Sequence, residues 1–230
     1  MKPKEISQTR PAADQKNNQL QFQNPIVYLI TSGDATAQKF AENKNSILEL
    51  VKIAVETKVP LVQIREKKIP GRLVFELVSE AVKITKTSKT KLLVNDRADI
   101  ALVAGADGVH LASTSILCAV IRREFPENFI IGVSAHNFEE ASEAKLQKAD
   151  FITFSPIFHT PEKGEPEGLD KLSKVCKKLD PFPVIALGGI DEKNYASVLE
   201  NGAQGFAAIR FLNSAENLRN LAADKTGKHQ

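Results

Sequence analysis

Short apolar runs rich in β-branched residues alternate along the chain with longer amphipathic stretches, and polar loops separate the two. The short runs, bounded by turn residues, predict strands at 26–30, 61–64, 91–94, 108–110, 129–133, 151–154, 184–187 and 205–209. The stretches between them have helical periodicity. Ser46 and Glu49 have the spacing of a capping box ahead of Ile47, Leu50, Val51, Ala54 and Val55, which share one face, so a helix is predicted to begin there. Asp191 is placed as the cap of a helix that carries Tyr195, Val198 and Leu199 and stops at Gly202. Asn213, with Glu216, is placed at the start of the last helix.

A strand-and-helix unit repeated eight times, with roughly 26 residues per unit against the ~30 of a βαβ motif, predicts a single-domain α/β protein, a TIM (β/α)8 barrel. A doubly wound sheet usually has five or six strands and leaves two of the runs unused. The barrel is assigned to residues 25–222. Residues 1–24 are polar, with Lys2, Lys4, Arg10 and Lys16 against Glu5 and Asp14, and hold too few apolar side chains to offset their ordering entropy. They are predicted to be a disordered or loosely attached tail, and residues 223–230 a flexible C-terminal one.

Composition narrows the function. With 42% hydrophobic residues in 230, the chain has enough apolar surface for a substantial core. Thirty-one Lys and Arg against 28 Asp and Glu leave a net charge of +3, too even a balance to predict non-specific nucleic-acid binding. The longest near-continuous apolar stretch, residues 100–106, is far below the roughly 20 that span a bilayer. Cys118 and Cys176 form no CxxC pair and read as core residues. No secretory pattern opens the sequence, so a cytoplasmic protein without nucleic-acid or membrane partners is expected. The oligomeric state is left open, a homo-oligomer included.

TIM barrels place their sites on the loops after the C-terminal ends of the strands, so the polar residues there are the candidates. After strand two, alternation sends Gln63 and Arg65 to one side, into the mouth, with Lys67 on the loop; the competing reading is a solvated charge cluster. Asn95 and Asp96 after strand three suit a turn or cap, or else a carboxylate presented to Mg²⁺ and phosphate. His110 reads first as a packed, hydrogen-bonded strand residue. Ser134 and His136 follow strand five. The loop 155–164 after strand six has Pro, Gly and Lys163, which suits a lid whose cation reaches a ligand. His136 and His159 are candidate general bases with no nucleophile beside them. After strands seven and eight, Gly188 and Gly189, and Ile209 with Arg210, fit a phosphate site of bare backbone amides. Two anionic subsites follow: a basic one near strand two and the lid, and an amide-lined one near strands seven and eight.

The strings VQIREK from Val62, LLVNDRADIALVAGADGVHL from Leu92, GVSAHNFEEA from Gly132, SPIFHTPEKG from Ser155 and ALGGI from Ala186 together resemble the thiamine phosphate synthase family, which includes thiazole tautomerases. Each falls at a predicted strand end, and the resemblance runs from about Ile26 to Asn213. It implies a barrel transferase that joins hydroxymethylpyrimidine diphosphate to thiazole phosphate, releasing diphosphate, with Mg²⁺ as cofactor and phosphorylated small molecules as its partners. Diphosphate leaves first in that chemistry, which calls for cations and a metal more than for a protein nucleophile. The resemblance places Gln63, Arg65 and Lys67 at the pyrimidine diphosphate, with Asn95 beside it. It makes Asp96 a metal ligand and Ser134 and Lys163 diphosphate contacts. It sets Thr160 at the thiazole, and the backbone amides of Gly189 and Ile209 at the thiazole phosphate. Pro156 stands where some tautomerases have a histidine, which favours the synthase. The chain departs from the family at Ser115, where a second metal carboxylate is usual, and at Arg210, Lys68 and Ser155. Arg210 either clamps a phosphate or fills its pocket, and Ser115 weakens the metal site. The alternatives are a tautomerase or another phosphate-substrate enzyme, and a non-catalytic binder of thiamine phosphate.

Overall fold

The computed structural model of the chain describes residues 25–161 and 164–227. The tail expected at 1–24, and Lys163, lie outside the described residues. Strands and helices alternate throughout: β1 (Ile26–Ile30), α1 (Phe40–Glu56), β2 (Leu61–Ile64), α2 (Gly71–Thr85), β3 (Lys91–Asn95), α3 (Ala98–Ala104), β4 (Gly108–Leu111), α4 (Cys118–Glu124), β5 (Ile130–Ala135), α5 (Phe138–Leu146), β6 (Phe151–Phe154), α6 (Gly168–Leu179), β7 (Val184–Leu187), α7 (Tyr195–Glu200), β8 (Gly205–Ala208) and α8 (Ala215–Gly227). All strands pair in parallel and β8 closes on β1, which makes the expected (β/α)8 barrel. Among the described residues no helix is long and apolar enough to cross a membrane.

Strand alternation divides the apolar residues between two cores. One face of each strand packs on the helices: Val27, Leu29, Val62, Ile64, Leu92, Val94, Ile131 and Phe154 belong to this outer core. The other face fills the barrel with Ile26, Tyr28, Ile30, Leu61, Leu93, Ile130, Phe151, Ile185 and Ala207. The interior is a packed layer and no pore, so a ligand has access only at its ends.

Three helix starts differ from expectation. α1 begins at Phe40, six residues before Ser46, and the Ser46 hydroxyl donates to the Glu42 carbonyl at 3.2 Å from within the helix. The capping-box spacing also occurs inside helices, where a Ser satisfies itself on the preceding turn. Asn213 does not cap α8. Ser214 does, its Oγ accepting from the Asn217 amide at 3.3 Å, while Asn213 Nδ2 donates to the carbonyls of Ile30 (2.7 Å) and Ile209 (2.6 Å), stitching the β1 and β8 ends together. At α7 the cap position is Asn194, three residues after the expected Asp191, whose side chain instead accepts from the Lys193 amide at 2.9 Å in the turn before the helix and whose carbonyl accepts from the Tyr195 amide. α8 continues to Gly227, past the expected boundary at 222.

Candidate active site

From β2 to β5 the barrel mouth is lined by side chains. Gln63 shares the interior face of β2 with Leu61 and is 1% exposed, and its Nε2 meets no hydrogen-bond partner among the described residues. An unpaired buried amide costs ~1–3 kcal/mol, a cost that an acceptor on a bound ligand removes. Just beyond, the buried Glu66 accepts from Thr31 Oγ1 (2.7 Å), the Ala35 amide (2.9 Å) and the Gly33 amide (3.3 Å). Thr31 Oγ1 in turn accepts from the Arg65 amide at 2.8 Å. This clamp fixes the backbone of Arg65, whose guanidinium lies against the β1 loop: a Cβ on Gly33 would come within 3.0 Å of its Nη1. Lys67 is exposed on the loop beyond. Glu66 is not among the residues that the sequence singles out, because nothing in its type shows that its partners come from the β1 loop.

At the end of β3 the chain turns through Asp96 at φ +58°. Its Oδ1 accepts from the Ala112 amide at 3.0 Å and from the Ser115 hydroxyl, and its Oδ2 accepts from Asn95 Nδ2 at 2.8 Å. Ser115 Oγ also accepts from the Ala112 amide at 2.8 Å, so the β4 loop wraps the carboxylate. Burial alone pushes the Asp96 carboxyl up, but the bonds from Ser115, Ala112 and Asn95, with the Lys67 ammonium nearby, outweigh it and hold the carboxyl below the usual range. The group is therefore an anion near neutral pH.

His110 lies deeper, inside the barrel and 3% exposed. Tyr28 Oη is 3.2 Å from its Nδ1, Ser134 Oγ is 3.0 Å from its Nε2, and Thr153 Oγ1 is 3.3 Å from the same nitrogen. Burial lowers its pKa to about 4, partly offset by the Asp96 charge, and raises that of Tyr28, so both are neutral near pH 7. The tautomer assigned from these partners takes the Tyr28 proton at Nδ1 and offers Nε2–H to Ser134. Room for the ring comes from Gly132, where a Cβ would sit 2.6 Å from His110 Nδ1 and 2.4 Å from Phe151 Cζ. The packed, hydrogen-bonded reading of His110 holds, yet its partner is Ser134, a predicted site residue. Tyr28 and Thr153 were missed, because each looks like an ordinary strand residue until the register is known.

From β6 to β8 the mouth is made of backbone. The β6 loop runs along the end of β7, with the Ile157 amide donating to Leu187 O and the Phe158 amide to Gly188 O, both at 3.0 Å. Gly188 and Gly189 have φ of +100° and +65°, and a Cβ on either would come within 2.7 Å of Pro156 Cα or His159 O. Asn194 Nδ2 holds the Gly189 carbonyl at 2.9 Å. Among the described residues no protein acceptor takes the amides of Gly189 or Ile209. Arg210 is exposed and makes no ion pair among the described residues. Thr160 bonds back to Phe158 O at 3.1 Å, and His136 Nδ1 is spent on Ser155 O at 2.7 Å, while His159 is exposed. The structure therefore places Asn95 and Asp96 in one hydrogen-bonded set with Ser115 and Ala112 and Ser134 in a second with His110, Tyr28 and Thr153, the two meeting where Asn95 pairs in register with His110; it leaves Gln63 with an unpaired amide and Thr160 turned onto its own loop.

A closed parallel barrel whose strand ends carry this polar cluster has the architecture of a (β/α)8-barrel enzyme. The family profile described as thiamine monophosphate synthase matches residues 27–212. A relative from Geobacter sulfurreducens is 42% identical over 186 residues, which cover 80% of this chain and 84% of that protein. The thiamine-phosphate synthase of Clostridium acetobutylicum is 36% identical over 198 residues, 85% of this chain and 90% of its own. The solved thiamine phosphate pyrophosphorylase from Pyrococcus furiosus is similar with a TM-score of 0.73 at 29% identity, covering 87% of this chain and 97% of that one. This chain belongs to the thiamine monophosphate synthase family.

Proposed function

We propose that the chain joins hydroxymethylpyrimidine diphosphate to thiazole phosphate, forming thiamine phosphate and releasing diphosphate, in the cytoplasm. The observation that carries this beyond family membership is the ionised Asp96 at the β3–β4 corner with a cation, Lys67, nearby, an arrangement suited to diphosphate and metal. The reaction breaks the bond between the pyrimidine methylene carbon and a diphosphate oxygen, and the thiazole nitrogen supplies the pair for the new carbon–nitrogen bond.

Gln63 offers its unpaired Nε2 to the pyrimidine half, with the neutral Tyr28, His110 and Ser134 chain as the floor beneath it. Arg65, whose backbone the Thr31 hydroxyl holds, and Lys67 face the diphosphate, where charge builds as the bond breaks, and cations there stabilise the transition state more than the ground state. Asn95 steadies the Asp96 carboxylate. The amides of Gly189 and Ile209, with Arg210 at the rim, take the thiazole phosphate, and Thr160 and Lys163 serve the lid. Asp96 suits Mg²⁺, since it is ionised and a site of one carboxylate plus diphosphate oxygens and waters is ordinary for that ion. Asp96 would hold that ion, which would supply positive charge to offset that of the leaving diphosphate.

The test is product formation from the two phosphorylated halves by the full chain. Thiamine phosphate and diphosphate released in equal amounts support the proposal. Tight binding of thiamine phosphate without turnover would show a binder instead.

A further inference from the structure

Asp96 is the carboxylate at the mouth, and most of its capacity is already taken. A carboxylate has about four lone-pair sites on its two oxygens. Here Ala112 N–H and Ser115 O–H fill Oδ1, and Asn95 N–H takes one of the two on Oδ2. One remains. Ser115 cannot serve as an easy second ligand, because its proton goes to Asp96 while its oxygen accepts from the Ala112 amide. Glu66 keeps one such site as well, but it is 5% exposed and both its oxygens are turned onto the β1 loop at Thr31, Gly33 and Ala35. Among the described residues no group of three or more His, Cys, Asp or Glu side chains stands close enough together to hold a metal ion. Six-coordinate Mg²⁺ gives up its waters reluctantly and is not held by one carboxylate oxygen alone.

We infer that Asp96, locked by Ser115, offers a divalent ion no resting site in the free protein, so that metal and diphosphate enter as one unit, with Ser115 as the positioning residue that keeps the Asp96 oxygen aimed at it. The inference rests on the proposed use of the mouth for a diphosphate. The geometry separates the two anionic regions by function: the β3–β4 corner needs diphosphate to acquire a metal, whereas the β7–β8 backbone needs no metal to meet a phosphate. It also predicts reciprocity, since a factor by which diphosphate raises metal affinity must equal the factor by which metal raises diphosphate affinity.

The experiment is equilibrium dialysis of the full chain with Mn²⁺ as the probe metal and radiolabelled inorganic diphosphate, alone and together. Mn²⁺ alone is expected to show no saturable retention up to low-millimolar concentration. Together the two should be retained in one-to-one proportion, with each affinity raised at least about tenfold. Ser115→Asp supplies a second carboxylate, so it should retain Mn²⁺ without diphosphate and show a smaller coupling factor. Asp96→Asn should retain diphosphate with no Mn²⁺ enhancement, and its melting temperature serves as the check that it is folded. Stoichiometric Mn²⁺ retention by the unmodified chain without diphosphate overturns the inference. So does diphosphate retention that Mn²⁺ leaves unchanged, an outcome that keeps the proposed anion site intact. Retention of neither overturns both readings.

Discussion

From β1 to β5 the mouth and the floor beneath it are built from side chains that bond one another across strands, Asn95 to Asp96 to Ser115 at the rim and Tyr28 to His110 to Ser134 below, whereas between β6 and β8 the mouth is built from main chain that runs through Gly188 and Gly189 at positive φ. The first region presents charge that residue identity sets, and a single substitution changes it. The second presents amide groups that conformation sets, and a substitution acts by moving the loop. A phosphate can be met in either way, but the two regions should fail differently: the side-chain half in the rate of the chemical step, the backbone half in binding and in loop stability.

The largest effect is expected at Lys67. If the side-chain half stabilises the departing diphosphate, Lys67→Ala should lower kcat about a hundred- to a thousand-fold, as removal of a preorganised donor does elsewhere, with little change in the Michaelis constant for thiazole phosphate. Steady-state kinetics with each substrate varied in turn checks this. A loss confined to the Michaelis constant would place Lys67 in uniform binding.

A second effect belongs to the buried floor of the same half and is read as stability against pH. His110 has a folded pKa of about 4 against an ordinary 6.5, so between these values the unfolded chain binds the extra proton and the folded chain does not. Stability is therefore complete above pH 6.5, falls as pH drops toward 4, and loses on the order of 3 kcal/mol over that window. Urea midpoints of the metal-free protein from pH 4.5 to 7 should show the slope, and His110→Gln should flatten it. A slope unchanged in that variant would assign the proton uptake elsewhere. Asp96 acts separately, at pH below the ordinary carboxyl range, because its folded pKa is lowered.

The backbone half is tested at Gly189. An alanine there must adopt φ near +65° and place its Cβ 2.7 Å from the His159 carbonyl oxygen. Strain and crowding together should cost about 1 to 3 kcal/mol. The expected outcome is a lower melting temperature and a raised Michaelis constant for thiazole phosphate, while the pyrimidine substrate is bound as before. Equal damage to both substrates would mean that the two halves of the mouth are not independent.

These two regions also differ in how far the sequence discloses them. The eight strands were legible because buried parallel strands read as short apolar runs, and strand alternation then turned Gln63 inward ahead of any coordinates. Charged residues at strand ends, such as Lys67 and Asp96, announced themselves by type. What stayed hidden depended on partners far away in the chain. Ser115 read as a lost carboxylate, and only the fold brings its hydroxyl onto Asp96, 19 residues earlier. Gly188 and Gly189 fit, by sequence, a phosphate site of bare amides, and the structure adds a nearer reason for glycine there, the passage of the chain's own β6 loop. The start of α1 was misplaced because a capping box and a mid-helix Ser have the same local pattern, and the Ser46 bond to Glu42 decides between them.

Arg210 carries the smallest expected effect and the sharpest sign. It is a side chain in the backbone half, so it departs from the rule that separates the two regions. A guanidinium packed into the phosphate site would be buried and paired, since an unpaired buried cation is costly. Arg210 is instead exposed and without an ion pair among the described residues, which favours a rim cation that reaches over a bound phosphate rather than a plug. Solvent screens such a contact, so it is worth little beyond a few-fold in affinity. Arg210→Ser should raise the Michaelis constant for thiazole phosphate by about two- to fivefold at low salt, with kcat unchanged, and the difference should shrink as salt is added. Tighter thiazole phosphate binding in the serine variant would mean that the guanidinium blocks the site, and the β8 end would then owe its phosphate contacts to amides alone.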